Sequence, residues 1–194
     1  MKENIGDCLI LGFEIGRLGV PFLALRSLSG SDVLKVRPEY FKAVHSPYTG
    51  EEMIAIPAYN PDVALIHAKY ADQFGNVLLE ELGFGLDEKI AFASQKVIVS
   101  VEEILPHEQL RGRLNVPHFL VDAVVEVPWG AYPTSNYPFY DADYGHLEEY
   151  LTAAQKPDTF QSYLERYILS CPEHGVYLER ARKSAAAGKE DTHG

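Results

Sequence analysis

Apolar residues in the first two thirds of the chain form short runs that are separated by turn residues. These runs have the length and composition of strands, most of them buried: Val20–Leu25, Met53–Ala58, Asp62–Ala68, Val77–Glu80, Val97–Val101 and Phe119–Val127. Apolar residues at helical spacing instead predict helices over residues 8–18 and Phe84–Ser94. The alternation of strands and helices indicates an α/β fold with an open, mainly parallel sheet.

The pattern changes after Pro128. Residues 128–145 are dense in proline, glycine and aromatic residues and show no period, whereas residues 146–155 and 158–170 are predicted to form helices. A third helix is predicted from about Glu173 to Arg182. The aromatic run Trp129–Tyr144 is compatible either with a cleft or subunit interface, or with an irregular loop that covers the sheet. We predict a single α/β domain over residues 1–182 with C-terminal helices and a flexible tail over residues 183–194.

Three acidic or basic side chains within or next to the predicted strands are candidates for chemistry. His67 is predicted to be a core or interface histidine rather than a metal ligand. Glu102 and Glu103 follow the strand Val97–Val101, where open α/β sheets place their sites, so either carboxylate is a candidate nucleophile or base. The sequence Ser100-Val-Glu-Glu103 also matches a capping box, and this interpretation, in which a turn of helix begins there, is favoured.

Composition limits the classes of function. The formal net charge of −11 over 194 residues disfavours binding to nucleic acid or to anionic membranes. No signal peptide and no apolar span of about 18 residues is present, and two cysteines far apart in sequence do not form a disulfide framework. We therefore expect a cytoplasmic protein. The histidines lack metal-ligand spacing, so we predict no metal site.

The segment 25–42, LRSLSGSDVLKVRPEYFK, is net basic within this acidic chain and is called the basic segment below. Its serines and glycine, Ser27, Ser29, Gly30 and Ser31, are able to present backbone N–H groups and hydroxyls to an anion. Arg26 is able to bind a carboxylate through two hydrogen bonds. A solvated turn explains the same composition equally well.

Several longer segments of the sequence together resemble one protein family. They are LGVPFLALRSLSGSD, SPYTGEEMIAIPA, PDVALIHAKYADQFGNV, KVIVSVEEI, VPHFLVDAVVEVPWGAYPTSNYP and YDADYGHLEEYL, in order from about residue 7 to 180. On these words the chain resembles the A-type subunit of the family I CoA-transferases, particularly the glutaconate CoA-transferase branch. The resemblance implies an open α/β sheet of the CoA-transferase type and, for His67 and the turn after it, a role in the framework.

The resemblance also implies a function. Family members move CoA between an acyl-CoA and a carboxylic acid, with the CoA thioester as substrate and no permanently bound cofactor. Their nucleophilic glutamate belongs to the B-type subunit, so the catalytic residue of this chain is unknown and a B-like partner is expected. The family's A-type subunits begin with a further half that this sequence lacks, which implies either a second partner chain carrying that half or a shortened form of the subunit. Acyl-CoA is the expected ligand, and neither a nucleic acid nor a membrane is expected as a partner.

Four residues match positions near the family's acyl-binding cleft, and the basic segment contains all of them: Arg26, Ser27, Gly30 and Ser31. They are predicted to hold the carboxylate or carbonyl end of the acyl group. Relatives on the same scaffold include a ring-opening CoA-thioester hydrolase, whose branch LRSLSGSD and SPYTGEE resemble closely, and a decarboxylase. The alternatives are therefore a hydrolase, a decarboxylase and a non-catalytic structural subunit.

Overall fold

The computed structural model describes residues 6–28, 32–79 and 85–190. The chain divides into two compact units, Met1–Val127 and Pro128–Gly194. Their boundary coincides with the change of composition at Pro128. The expectation of one domain over residues 1–182 stays a prediction.

The first unit begins with an antiparallel sheet. Its elements are helix α1 (Gly6–Arg17), strand β1 (Phe22–Leu25), helix α2 (Val33–Val36), strand β2 (Lys42–His45) and strand β3 (Glu52–Pro57). The strand order is β1-β3-β2, and both pairings are antiparallel. Residues of α1 pack on one face, where Cys8 and Ile15 meet Ile54 and Ile56. The prediction that Val20–Leu25 is a buried strand is wrong in its burial, because β1 is an edge strand and Phe22 is 49% exposed.

The second sheet of this unit is the parallel one that the sequence predicts. It contains β4 (Val63–Asp72), β5 (Val77–Leu78), α3 (Leu86–Ala93), β6 (Lys96–Leu105), α4 (His107–Leu110), a 3₁₀ turn (His118–Leu120) and β7 (Ala123–Glu126). Its order is β5-β4-β6-β7, with β4, β6 and β7 parallel and β5 antiparallel. The α/β fold class is thereby confirmed.

The core of the parallel sheet lies on one face. Successive side chains of a strand point to opposite faces, and the buried set alternates accordingly. It includes Ala64, Ile66 and Ala68 of β4, Val97, Val99 and Val101 of β6, and Ala91 of α3. The opposite face of the same strands carries Val63, Leu65, Ile98 and Val125, which are exposed.

The predicted helix start after Val101 is wrong. Strand β6 continues to Leu105, so Ser100, Glu102 and Glu103 are strand residues rather than a capping box. The strand continues because β4 extends to Asp72 and pairs with it throughout, with Tyr70 opposite Glu103 and Asp72 opposite Leu105. Hydrogen bonding to a neighbouring strand therefore overrides the local capping signal.

The second unit is helical. It contains α5 (Tyr144–Ala153), α6 (Pro157–Leu164), a π-helical turn (Glu165–Leu169) and α7 (His174–Glu190), which passes beyond residue 182. Its core is aromatic and includes Tyr132, Tyr140 and Tyr167. Trp129 stacks on Tyr140 with ring centroids 4.3 Å apart. Part of the aromatic run at 129–144 therefore packs into the core of its own unit.

Candidate functional site

Arg26, which follows β1, forms an ion pair that the sequence does not suggest. Its Nη2 atom lies 2.7 Å from Glu51 Oε2, and its side chain is 69% exposed. Ser27 follows it in an exposed turn, whereas Gly30 and Ser31 lie outside the described residues. The structure therefore brings Arg26 together with Glu51, and the predicted grouping with Gly30 and Ser31 stays a prediction.

The other cations of the basic segment have local partners as well. Lys35 lies 2.7 Å from Asp32, and Arg37 lies 3.5 Å from Glu39. Lys42 donates to the Pro38 carbonyl over 2.8 Å. Two of the four positive charges are thus paired with carboxylates of the segment itself, and Arg26 is paired with Glu51, which directly precedes β3.

A groove of about 370 Å³ lies on the antiparallel sheet that begins with β1. Its lining is mostly apolar, with one cation and one carboxylate: Pro21, Phe22, Glu39, Tyr40, Lys42 and Ala55 are among the lining residues. This volume lies at the lower end of the range for small-molecule sites. The groove therefore has the size and polarity for a short carbon chain with a charged end.

A second polar cluster lies where the parallel strands end. Asp72 is the last residue of β4, and its side chain is fully buried. Its Oδ1 atom accepts hydrogen bonds from the backbone N–H groups of Phe74 and Asn76, each over 2.9 Å. Its Oδ2 atom accepts from Asn76 Nδ2 and from His107 Nδ1, each over 2.7 Å. Gly75 closes the turn at a φ of 92°, a region that favours glycine.

Asn76 connects this carboxylate to a second histidine. Its side-chain oxygen Oδ1 accepts from the backbone N–H of His118 over 2.9 Å and lies 3.2 Å from His118 Nδ1. Because an amide oxygen only accepts, the proton in the second contact lies on His118 Nδ1. His107 and His118 are therefore both held through Nδ1, and in the described part of the chain neither Nε2 atom has a hydrogen-bond partner.

The environment of Asp72 favours its charged form. Burial raises the pKa of this carboxyl, but the hydrogen bonds from His107, from Asn76 and from the Phe74 backbone outweigh it, so the pKa lies below the usual value. A histidine oriented by a buried carboxylate is able to exchange a proton at Nε2. The His107 side chain is about one third exposed, so solvent reaches this edge of the sheet.

A third polar group lies inside the parallel sheet. His67 of β4 lies 2.7 Å from Glu102 Oε1 through Nε2 and 2.8 Å from Ser100 Oγ through Nδ1. Because a carboxylate only accepts, Nε2 carries a proton, and Nδ1 lies within hydrogen-bond distance of the Ser100 hydroxyl. Glu102 is buried, so the histidine satisfies a carboxylate within the sheet. This arrangement agrees with the framework role expected for His67.

The Asp72 cluster is not predicted as a group from the sequence. The spacing of His107 and His118 does not match a metal-ligand motif, so the two residues give no common signal. The signal that the sequence does contain is position along the chain. Asp72 follows the predicted strand Asp62–Ala68, and His107 follows the predicted strand Val97–Val101. Parallel pairing of these two strands brings both residues to one edge of the sheet. Among the described residues, no group of three or more potential ligands is suited to a metal ion.

Comparisons with known proteins identify the family. A family model described as Coenzyme A transferase matches residues 3–127. The A-type subunit of 3-oxoadipate CoA-transferase from Pseudomonas knackmussii is 36% identical over 171 residues, covering 87% of this chain and 59% of the relative. The A-type subunit of glutaconate CoA-transferase from Acidaminococcus fermentans is 30% identical over 198 residues, covering 93% and 62%. The cholesterol ring-cleaving hydrolase IpdA subunit of Rhodococcus jostii is 32% identical over 178 residues, covering 87% and 59%.

Solved structures agree with these relatives. The crystal structure of glutaconate CoA-transferase from A. fermentans has a TM-score of 0.85 at 29% identity, covering 95% of this chain and 64% of that one. The crystal structure of a variant of the decarboxylase AibA/AibB has a TM-score of 0.73 at 31% identity, covering 85% and 62%. The chain spans less than two thirds of the length of each of these proteins. None of the helices in the described ranges is long and apolar enough to cross a membrane. The chain belongs to the coenzyme A transferase family.

Proposed function

We propose that this chain is one part of a heteromeric CoA-transferase that moves CoA between an acyl-CoA and a carboxylic acid. The observation that carries the proposal is the agreement with glutaconate CoA-transferase, at a TM-score of 0.85 over 95% of the chain. The CoA thioester is the substrate, and no cofactor stays bound between turnovers.

The chemistry implied is covalent catalysis by a glutamate. A carboxylate oxygen attacks the thioester carbonyl, the C–S bond breaks, and CoA leaves as a thiolate, giving an acyl-glutamyl anhydride. The thiolate then attacks the glutamyl carbonyl, which releases the first acid and leaves a glutamyl-CoA thioester. The acceptor acid reverses both steps. Each tetrahedral intermediate carries an oxyanion that fixed N–H donors must hold.

The attacking glutamate belongs to a partner subunit in this proposal. Asp72 and Glu102 are buried carboxylates of this chain, and both already accept hydrogen bonds from histidines. Their engagement within the framework makes them poor nucleophiles. A B-like partner is therefore the expected source, and a further polypeptide is proposed to supply the half that the resemblance places ahead of this sequence.

Arg26, Ser27, Gly30 and Ser31 are proposed to hold the carboxylate or carbonyl end of the acyl group. Arg26 is exposed, and its pairing with Glu51 keeps the guanidinium near the end of β1. An incoming carboxylate would compete with Glu51 for that guanidinium. The groove beside Phe22 and Lys42 is the proposed place for the carbon chain of a short acid.

Hydrolysis is the second candidate function. It is favoured by the 32% identity to the cholesterol ring-cleaving hydrolase IpdA subunit. The decarboxylase AibA/AibB gives a third possibility on the same scaffold. A structural subunit without catalytic residues is compatible with the engagement of Asp72 and Glu102 described above. We place the assembly in the cytoplasm, in keeping with two cysteines that form no disulfide.

An exchange assay separates these functions. The chain is purified with its B-like partner and the proposed second polypeptide and is given an acyl-CoA with labelled acetate. Labelled acetyl-CoA without loss of total thioester supports the transferase. Free CoA without labelled thioester means a hydrolase, release of carbon dioxide means a decarboxylase, and a stable complex without turnover means a structural subunit. Each of the last three outcomes overturns the proposal.

A further inference from the structure

The antiparallel sheet of β1, β3 and β2 has a face opposite to the one that packs on α1. Ile54 and Ile56 of β3 belong to the packed face, where they meet residues of α1. Side chains alternate along a strand, so Ala55 belongs to the opposite face. Paired residues of neighbouring strands share a face, and Ala55 lies opposite Ala24 of β1 and opposite Lys42 of β2. This second face therefore has two alanines at its centre.

The groove of about 370 Å³ lies on this second face. Ala55 of the central strand forms its floor. Phe22 of β1 stands on one side, and Lys42 and Val44 of β2 stand on the other. Tyr40 adds a further wall, and its ring packs beside two other aromatic rings. The walls are thus formed before any ligand binds, as is usual for small-molecule sites.

Arg26 and Glu51 lie at one end of the same face. Arg26 follows Ala24 by two residues, and Glu51 precedes Ala55 by four, so the alternation of side chains assigns both to the face of the groove. Their ion pair of 2.7 Å agrees with this assignment. Because Ala24 lies opposite Ala55, the floor of the groove is about 7 Å along the strands from Arg26.

The charges of the groove disfavour a second carboxylate on the ligand. Lys42 is the cation of the lining, and its Nζ atom already donates to the Pro38 carbonyl over 2.8 Å. Glu39 is the carboxylate of the lining and lies 3.5 Å from Arg37. The other lining residues in the described part of the chain are apolar or aromatic. A carboxylate placed there would lose hydration against apolar side chains and would meet the charge of Glu39.

We propose that the acid substrate is a monocarboxylic acid with an uncharged apolar tail, which lies over Ala55 while the carboxylate binds at Arg26. This inference rests on the proposed function, in which Arg26 holds the reacting end of the acyl group. The distance of about 7 Å between Arg26 and the floor of the groove fits a chain of about six carbons. Burial of that tail would supply the selectivity. Two relatives are instead named for 3-oxoadipate and glutaconate, which are dicarboxylic acids.

A comparison of acceptor acids tests the inference in the assembled complex. Acetate, hexanoate and adipate are compared, since hexanoate and adipate have the same chain length and differ by one carboxylate. Hexanoate is expected to have a kcat/KM at least about tenfold above that of acetate and that of adipate. The Ala55→Leu variant fills the floor of the groove, so it is expected to lower kcat/KM for hexanoate at least about tenfold more than for acetate. The Tyr144→Ala variant, exposed in the second unit, is the control.

A thiol in the groove measures binding without turnover. The Val44→Cys variant is made in a Cys171→Ser background, because Cys171 is partly exposed whereas Cys8 is buried. Saturating hexanoate is expected to slow maleimide labelling of this thiol at least about threefold, whereas the same concentration of adipate leaves the rate unchanged. The Leu151→Cys variant is the control, since Leu151 is 62% exposed on α5, and neither acid should change its rate.

The outcomes separate this inference from the proposed function. Protection of the Val44→Cys thiol by hexanoate in a complex that transfers no CoA would support the inference and count against the proposed function only. Equal protection by both acids, or no protection by hexanoate, would overturn the inference. An acceptor preference for acetate or adipate would overturn it as well. A preference for hexanoate that persists in Ala55→Leu would place the tail elsewhere and would also overturn it.

Discussion

The His67 ring on β4 donates from Nε2 to Glu102 Oε1 on the neighbouring strand β6, over 2.7 Å. The other ring nitrogen, Nδ1, is hydrogen-bonded to Ser100 Oγ of the same neighbouring strand, over 2.8 Å. Two side-chain hydrogen bonds thus join two parallel strands at the row where His67 lies opposite Ser100. A slip of one residue would turn these side chains to the opposite face, so the pair helps to fix the register of β4 against β6.

The Glu102→Ala variant is expected to lower the free energy of unfolding by about 1–3 kcal/mol, because it leaves the His67 N–H without its acceptor inside the sheet. Urea unfolding followed by circular dichroism measures the change. The Glu103→Ala variant is the matched control, since Glu103 is the next residue of the same strand and is exposed. It is expected to stay within about 0.5 kcal/mol of the parent chain. If both variants changed the free energy of unfolding equally, the hydrogen bond between His67 and Glu102 would make no specific contribution to stability.

Asp72 makes the stability of the first unit depend on pH in the acidic range. Its folded pKa lies below the usual value, so the stabilisation it provides is complete above the unfolded pKa of about 3.9 and is lost as the pH falls through the folded pKa. The Asp72→Asn variant is expected to be less stable at neutral pH and to show a flatter decline at acidic pH. Unfolding free energies measured from about pH 6 to about pH 2 test this. An unchanged slope would contradict the hydrogen-bond network described for Asp72.

The second unit contains a buried histidine whose neutral form is favoured, whereas for Asp72 the charged form is favoured. His146 is buried, its Nε2 lies 3.0 Å from the Tyr163 hydroxyl, and among the residues that the structure describes its Nδ1 has no hydrogen-bond partner. Burial lowers its pKa below 6.5, although the charges of Glu149 and Asp143 act in the other direction. Its contribution to stability is therefore complete above about pH 6.5 and declines as the pH falls through the folded value.

The His146→Gln variant is expected to remove this decline between about pH 7 and pH 5, because the unfolded chain then no longer gains a proton there that the folded chain resists. The fluorescence of Trp129, which packs in the same unit, reports the unfolding of this unit. His174 is exposed in the same unit, so the His174→Gln variant should keep the decline of the parent chain. A decline that persists in His146→Gln would assign it to another group.

A variant of Arg26 is expected to change substrate binding without changing the stability of the fold. Its ion pair with Glu51 is exposed, and exposed pairs contribute about 0–1 kcal/mol, so the Arg26→Ala variant should fold with nearly unchanged stability. In the assembled complex we expect it to raise KM for the acid substrate at least about tenfold, as expected for the loss of a charged hydrogen bond. The Lys35→Ala variant, whose pair with Asp32 is also exposed, is the control. Unchanged KM and kcat in Arg26→Ala would remove the proposed role.

Much of the fold follows from local patterns. The runs Met53–Ala58 and Asp62–Ala68 correspond to β3 and β4, and the turn at Gly75-Asn76 leads into β5 as predicted. These elements are predictable because their side chains alternate or their turn residues fix the backbone. The antiparallel pairing of β1 with β3 is not, since strands separated by a long stretch of chain leave no local signal of their pairing.

The candidate site is less predictable for the same reason. The capping signal at Ser100–Glu103 is local and strong, but the neighbouring strand overrides it, which places Glu102 beside His67 rather than at a helix start. The contact between Asp72 and His107 joins residues 35 positions apart and depends on the parallel register of β4 and β6. The pairing of Arg26 with Glu51 likewise depends on how β1 meets β3.

The most direct test of the central claim is the intact mass of each polypeptide in the assembled complex after brief exposure to an acyl-CoA. A glutamyl-CoA thioester adds the mass of CoA, less water, to the chain that contains the nucleophile. The account predicts this adduct on the B-like partner and an unmodified mass for the present chain. An adduct on the present chain, or turnover of acyl-CoA by the present chain purified alone, would contradict it.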